Sequence, residues 1–137
     1  MKLVSIILAS ILFLLMLSFC STEPEEEYVL YKIKIEKITV PDTVSIQDTL
    51  KIKLDGTVGP DGCHSFKGFE IEKVGGEINI TAWGSRPNFS TICPTVMVYL
   101  NGKNCNVLIP NTGHYKINIM QPDNTIYSKW VYINKTK

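Results

Sequence analysis

Two alternating runs, Ser65 to Val74 and Glu77 to Trp83, meet at Gly75-Gly76. A two-residue loop at the glycines pairs Lys73 with Ile78, Ile71 with Ile80 and Phe69 with Ala82. Phe69, Ile71, Ile80 and Ala82 then share one face, and Glu70, Glu72, Asn79 and Thr81 share the other. A slip of one residue would turn every side chain over, so turn and pattern agree on a single register. Such a hairpin must bury its apolar face against another layer. No stretch after Cys20 has a helical period that could supply one, so the covering layer has to be a second sheet.

The rest of the chain supplies strands for both layers. Tyr28 to Val40 alternates, with Val29, Tyr31, Ile33 and Ile35 in phase and a slip before Ile38 that predicts a bulge or a change of sheet. Thr49 to Leu54 alternates Leu50, Ile52 and Leu54 with lysines, and Asp55-Gly56 and Gly59-Pro60-Asp61-Gly62 read as turns. Asn101-Gly102 predicts a second hairpin, Thr95 to Leu100 with Lys103 to Ile109, which sets Val98 opposite Cys105. His114 to Met120 and Ile126 to Ile133 follow, with Tyr115, Ile117 and Ile119 in phase and Val131 and Ile133 taken as inward. This predicts an all-β domain of about seven strands over residues 28–137, folded as a two-sheet sandwich.

The first nineteen residues are of another kind. Lys2 precedes an apolar run from Leu3 to Leu17, the form of an export signal and somewhat short for a membrane span. Leu17-Ser18-Phe19-Cys20 resembles the lipobox of bacterial lipoproteins, in which the cysteine is cleaved and lipidated. That resemblance implies acyl chains, palmitate among them, on Cys20, and a membrane as partner through the anchor. A retained membrane anchor, or a soluble signal with a chance cysteine, are the other readings of these residues. Residues 20–27 continue as an acidic tether, Ser21 to Glu27, with no apolar side chain to bury.

Two further resemblances concern the domain. Leu108 to Tyr115 resembles the turn into strand F of immunoglobulin-like domains, with Tyr115 as the corner tyrosine. Ile117 stands where antibody domains carry a strand-F cysteine, so the antibody disulfide is absent. The lipobox, Gly59 to Phe66, Ile92-Cys93-Pro94 and Gly113-His114-Tyr115 together resemble small lipoproteins of Bacteroidota. This implies a cell-envelope protein at the outer membrane, with the cell surface as a further address, and implies no activity.

Export leaves Cys63, Cys93 and Cys105 in an oxidising compartment. The predicted second hairpin puts Cys105 on a core face, while Cys63 and Cys93 fall in edge loops. The expected disulfide is Cys63–Cys93, with Cys105 a buried thiol. A loop of that size contributes about 3–4 kcal/mol. Cys63, His64, Cys93 and His114 are the candidate metal ligands by residue type, but adjacent Cys63 and His64 point to opposite faces of an extended strand and no zinc-type spacing occurs, so no metal or other cofactor is expected.

No catalytic motif is present. Neither histidine lies in a recognisable elbow, and Glu70 and Glu72 fall on a solvent face, so the chain is expected not to be an enzyme. From Tyr28 onward thirteen basic residues face nine acidic ones, a net of +4 with Arg86 the single arginine, and the lysines are scattered. This is a solvated face and excludes a nucleic-acid patch. What remains is recognition. Trp83, Arg86, Pro87 and Phe89, in the segment read as crossing between hairpins, are the candidate binding surface for a protein or glycan ligand. Capping of the core by Trp83 and Phe89 is the competing reading. An exported hydrolase inhibitor and a small metal-binding envelope protein are the alternatives to a binding or structural module.

Overall fold

The computed structural model describes residues 28–88 and 92–135. These form β1 (Tyr28–Lys32), β2 (Lys34–Thr39), β3 (Thr43–Ser45), β4 (Leu50–Gly59), β5 (Ser65–Val74), β6 (Glu77–Pro87), β7 (Val98–Tyr99), β8 (Lys103–Val107), β9 (Gly113–Met120) and β10 (Ile126–Asn134). Among the described residues there is no helix. The strands make two sheets, one of six and one of four, packed as a β-sandwich.

The hairpin β5–β6 organises the larger sheet. Its register is the one the glycine turn dictates, Lys73 opposite Ile78 and Phe69 opposite Ala82, with Gly75 at φ +59°. On the far edge of β6, β9 and β1 lie end to end: Glu77 to Ile80 pair in parallel with Lys116 to Ile119, and Trp83 to Pro87 pair antiparallel with Lys32 to Tyr28. β10 and the short β3 complete the sheet. Parallel neighbours need a crossover, and the chain makes it by passing through the second sheet as β7 and β8. The antiparallel pattern of constant-type immunoglobulin domains is broken at two pairs, β6–β9 and β10–β3, which are parallel. The corner tyrosine does follow it: Tyr115 Oη donates to the Asn111 carbonyl at 3.2 Å.

β4 is the spine of the smaller sheet, with β2 on one side and β7 and β8 on the other. β1 and β2 are one run that changes sheet at Ile33, and a bulge falls between Ile35 and Lys37, so the slip in the sequence pattern marks both devices. Buried Gln121 bridges the bulge: its Oε1 accepts from the Ile35 N–H at 3.0 Å and its Nε2 donates to the Ile35 carbonyl at 3.2 Å.

The second hairpin is not formed. β7 and β8 both lie against β4, Val98 opposite Gly59 and Lys103 opposite Leu54, as one run interrupted at Leu100–Gly102. Asn101-Gly102 is a kink within that run. Gly102 adopts φ +60°, and its N–H donates to Asp55 Oδ1 at 2.6 Å. Asp55 and Gly56 are correspondingly strand, not turn. Gly56 is needed there because a side chain would collide with the Lys34 carbonyl beside the bulge.

The core lies between the sheets. Ile78, Ile80, Ala82, Ile117, Ile119, Val131 and Ile133 face Leu50, Ile52, Leu54, Cys105 and Val107, all fully buried. Each buried Ile, Leu or Val side chain contributes about 1.5–3 kcal/mol relative to exposure.

Candidate binding surface

β6 reaches Pro87, so Trp83, Arg86 and Pro87 belong to a strand flanked by β1 and not to a crossing loop. Residues alternate along it. Ile78, Ile80 and Ala82 point into the core, while Asn79, Thr81 and Trp83 point outward. Trp83 is half-buried on this outer face, and Arg86 is exposed toward the strand end. Phe89 and Cys20 lie outside the described residues.

The cross-strand neighbours of Trp83 define its surroundings. Lys32 stands beside it on β1 and Gly68 on β5. The indole Nε1–H donates to Glu70 Oε2 at 2.8 Å, which ties the ring to β5. Gly68 supplies no side chain to cover it, and a Cβ built there meets nothing within 4 Å. The indole therefore forms a wall between two hollows. One, of about 590 Å³, is lined by Lys32, Glu70, Glu72, Asn79, Thr81 and Met120. The other, of about 230 Å³, is lined by Leu30, Lys67, Gly68, Phe69 and Glu70. Beyond the first hollow the face is held rigid by buried Asn118. Its Nδ2 donates to Glu77 Oε2 and Asn79 Oδ1, both at 3.0 Å, and its Oδ1 accepts from Ser128 Oγ at 2.8 Å.

The cysteines are disposed as expected. Cys63 and Cys93 form a disulfide, and Cys105 is a free buried thiol. Burial pushes the Cys105 thiol up to about 11, which keeps it protonated and unreactive. The disulfide closes the end of the sandwich where β4 leaves and β5 enters, and the Gly62 N–H donates to the Pro94 carbonyl beside it at 2.9 Å.

A second polar cluster sits at this end. His64 Nδ1 lies 2.8 Å from Asp61 Oδ1, which also accepts from the Cys63 N–H at 3.0 Å. The His64 bond, helped by the Cys63 N–H and opposed by a smaller effect of desolvation, holds the Asp61 carboxyl below its ordinary range. The imidazole packs over Gly59, where no Cβ would fit, and edge-on to Tyr31 at 5.6 Å. Tyr31 reaches across the sandwich and donates to the Val58 carbonyl at 2.7 Å. Burial, with help from the Asp61 charge, raises its pKa. The adjacent hydroxyl, Ser65 Oγ, is engaged with Ser85 Oγ at 2.9 Å rather than with His64. Asp61, Cys63 and Cys93 are close enough to hold a cation, but both sulfurs are spent in the disulfide. His114 packs on Tyr132 at the opposite end of the sheet, so the two histidines and the disulfide do not converge.

No protein-family model, curated protein or solved structure matches the chain.

The sequence singled out Trp83 for its residue type. It missed Gly68, Glu70, Thr81 and Lys32, which make the tryptophan a surface. The signal for them was present in the hairpin register, which already places Gly68 opposite Trp83 and leaves one indole face bare.

Proposed function

We propose that this chain is a non-catalytic recognition module, exported and held to a cell envelope by lipid on Cys20, that binds a glycan along the outer face of its larger sheet. The observation that carries the reading is the Trp83 wall. An indole clamped by Glu70 and left open beside Gly68 offers a flat apolar plate for the C–H face of a sugar ring. Glu70, Glu72, Asn79, Thr81 and Lys32 surround the plate with acceptors and donors for hydroxyl groups. A rigid aromatic with a few fixed polar groups loses little entropy on binding. Anchoring is supported by the run from Leu17 to Glu27, and the disulfide suits an oxidising compartment.

Glycan-array binding with purified protein tests the ligand class. Gly68→Leu fills open space beside Trp83 without touching the core, so it should abolish array signal while leaving the unfolding midpoint within error of wild type. Array signal that survives in Gly68→Leu and in Trp83→Ala sinks the proposal. Intact mass of protein taken from native membranes tests the anchor separately: the chain should begin at an acylated Cys20.

A further inference from the structure

We infer that the disulfide-closed end of the sandwich is a lipid-contacting surface that seats the domain on the bilayer carrying its own anchor. The inference rests on the proposed lipidation of Cys20. Strand directions place the start of the domain at this end: Tyr28 pairs with Pro87, Ser65 with Ser85, and Val98 with Gly59. Seven residues separate Cys20 from Tyr28. Even fully extended, eight residue steps reach no more than about 29 Å. This end, and not the Gly75-Gly76 end, is therefore held near the lipid.

The same end carries apolar side chains that the fold leaves uncovered. Ile92 is fully exposed, and Val96, Met97 and Tyr99 are each half-exposed or more. They stand on or just before β7, next to the Cys63–Cys93 bond and the Gly62–Pro94 hydrogen bond, which brace the segment against β4. Arg86, also exposed at this end and within electrostatic reach of the Asp61 carboxylate, offers a cation to lipid phosphate. An apolar tip with a basic neighbour is the composition of an interfacial contact. A short covalent tether holds such a tip at high effective concentration, so weak intrinsic affinity suffices. Trp83 lies four residues along β6 from Pro87, about 13 Å away along the strand, and its outer face stays in water in this pose.

The test uses the full lipidated chain in vesicles of phosphatidylethanolamine and phosphatidylglycerol doped with phosphatidylcholine brominated along its acyl chains. Tryptophan is introduced as Ile92→Trp and, at the opposite end, as Leu108→Trp, a site 70% exposed. With the wild-type emission subtracted, the bromines should quench the Ile92→Trp signal at least about twofold more than the Leu108→Trp signal. Equal quenching in protein that floats with the vesicles overturns the inference while leaving the anchor intact. A blue shift of Ile92→Trp without quenching also overturns it, because a second protein copy then covers the tip. If the protein fails to float, the anchor reading has failed. Without the anchor the domain is not seated on its own bilayer, and the inference falls with it.

Discussion

Gly84→Ala offers a sharp test of how the two sheets are tied together at the β1 end. A Cβ at Gly84 would lie 2.5 Å from Tyr31 Cζ and 2.6 Å from Tyr31 Oη. Ordinary contact needs about 1 Å more, so the ring must move. Moving it breaks the 2.7 Å bond from Tyr31 Oη to the Val58 carbonyl and the edge contact with His64. The hydrogen bond is worth about 0.5–1.5 kcal/mol, the ring contact a similar amount, and overpacking of this kind costs about 1–3 kcal/mol. Alanine in a strand returns about 0.5–1 kcal/mol relative to glycine. The expected net loss is about 2–4 kcal/mol by urea unfolding at constant m-value. In a Tyr31→Ala background the obstruction is gone, and Gly84→Ala should be neutral or stabilising. The coupling should therefore exceed about 2 kcal/mol. A cost below about 0.5 kcal/mol for Gly84→Ala in wild type, or the same cost in both backgrounds, would refute this tie between the sheets.

Three further perturbations address other parts of the fold. Replacing Cys63 and Cys93 together by alanine should lower stability by about 3–4 kcal/mol, from the separation of 30 residues, and an unfolding midpoint insensitive to reductant would contradict this. Cys105 holds its proton in the folded state up to about 11, against 9.0 when unperturbed, so folded protein binds more protons than unfolded protein between those values. Stability should therefore fall as pH rises through that window, by up to about 1.4 kcal/mol per pH unit relative to Cys105→Ala, and parallel pH profiles of the two proteins would refute it. Gln121→Ala leaves the Ile35 N–H and carbonyl buried at the bulge without partners and should cost about 2–4 kcal/mol in chemical unfolding, whereas a loss below about 0.5 kcal/mol would show that the bulge does not depend on that amide.

The features legible in the sequence are those where local chemistry and pattern specify one answer. Gly75-Gly76 and the alternation on either side fix the same register, and the hairpin forms in it. Cys63 and Cys93 lay in loops while Cys105 sat among core residues, and the pairing follows. Val131 and Ile133 are inward, as expected.

The misreadings share one cause, a local motif whose meaning is set by a distant partner. Asn101-Gly102 suits a tight turn or a kink equally, since both need positive φ. The partner that selects the kink is the Asp55 carboxylate, far away in sequence. Gly84-Ser85-Arg86-Pro87 resembles a strand breaker, yet Gly84 is there to admit Tyr31 and Pro87 sits at the strand's end. Gly68 gave no signal by residue type, because its importance is the absence of a side chain opposite Trp83.

The central claim is that ligand contacts the Trp83 wall. Nuclear magnetic resonance of labelled protein during titration with envelope oligosaccharides tests it at residue level. The predicted result is saturable shifts of the Trp83 indole N–H and of the amides of Gly68, Glu70 and Thr81, with those of Trp83, Glu70 and Thr81 absent in Gly68→Leu. Shifts confined to the disulfide-closed end, at Ile92, Met97, Tyr99 and His64, would place recognition elsewhere and contradict the account.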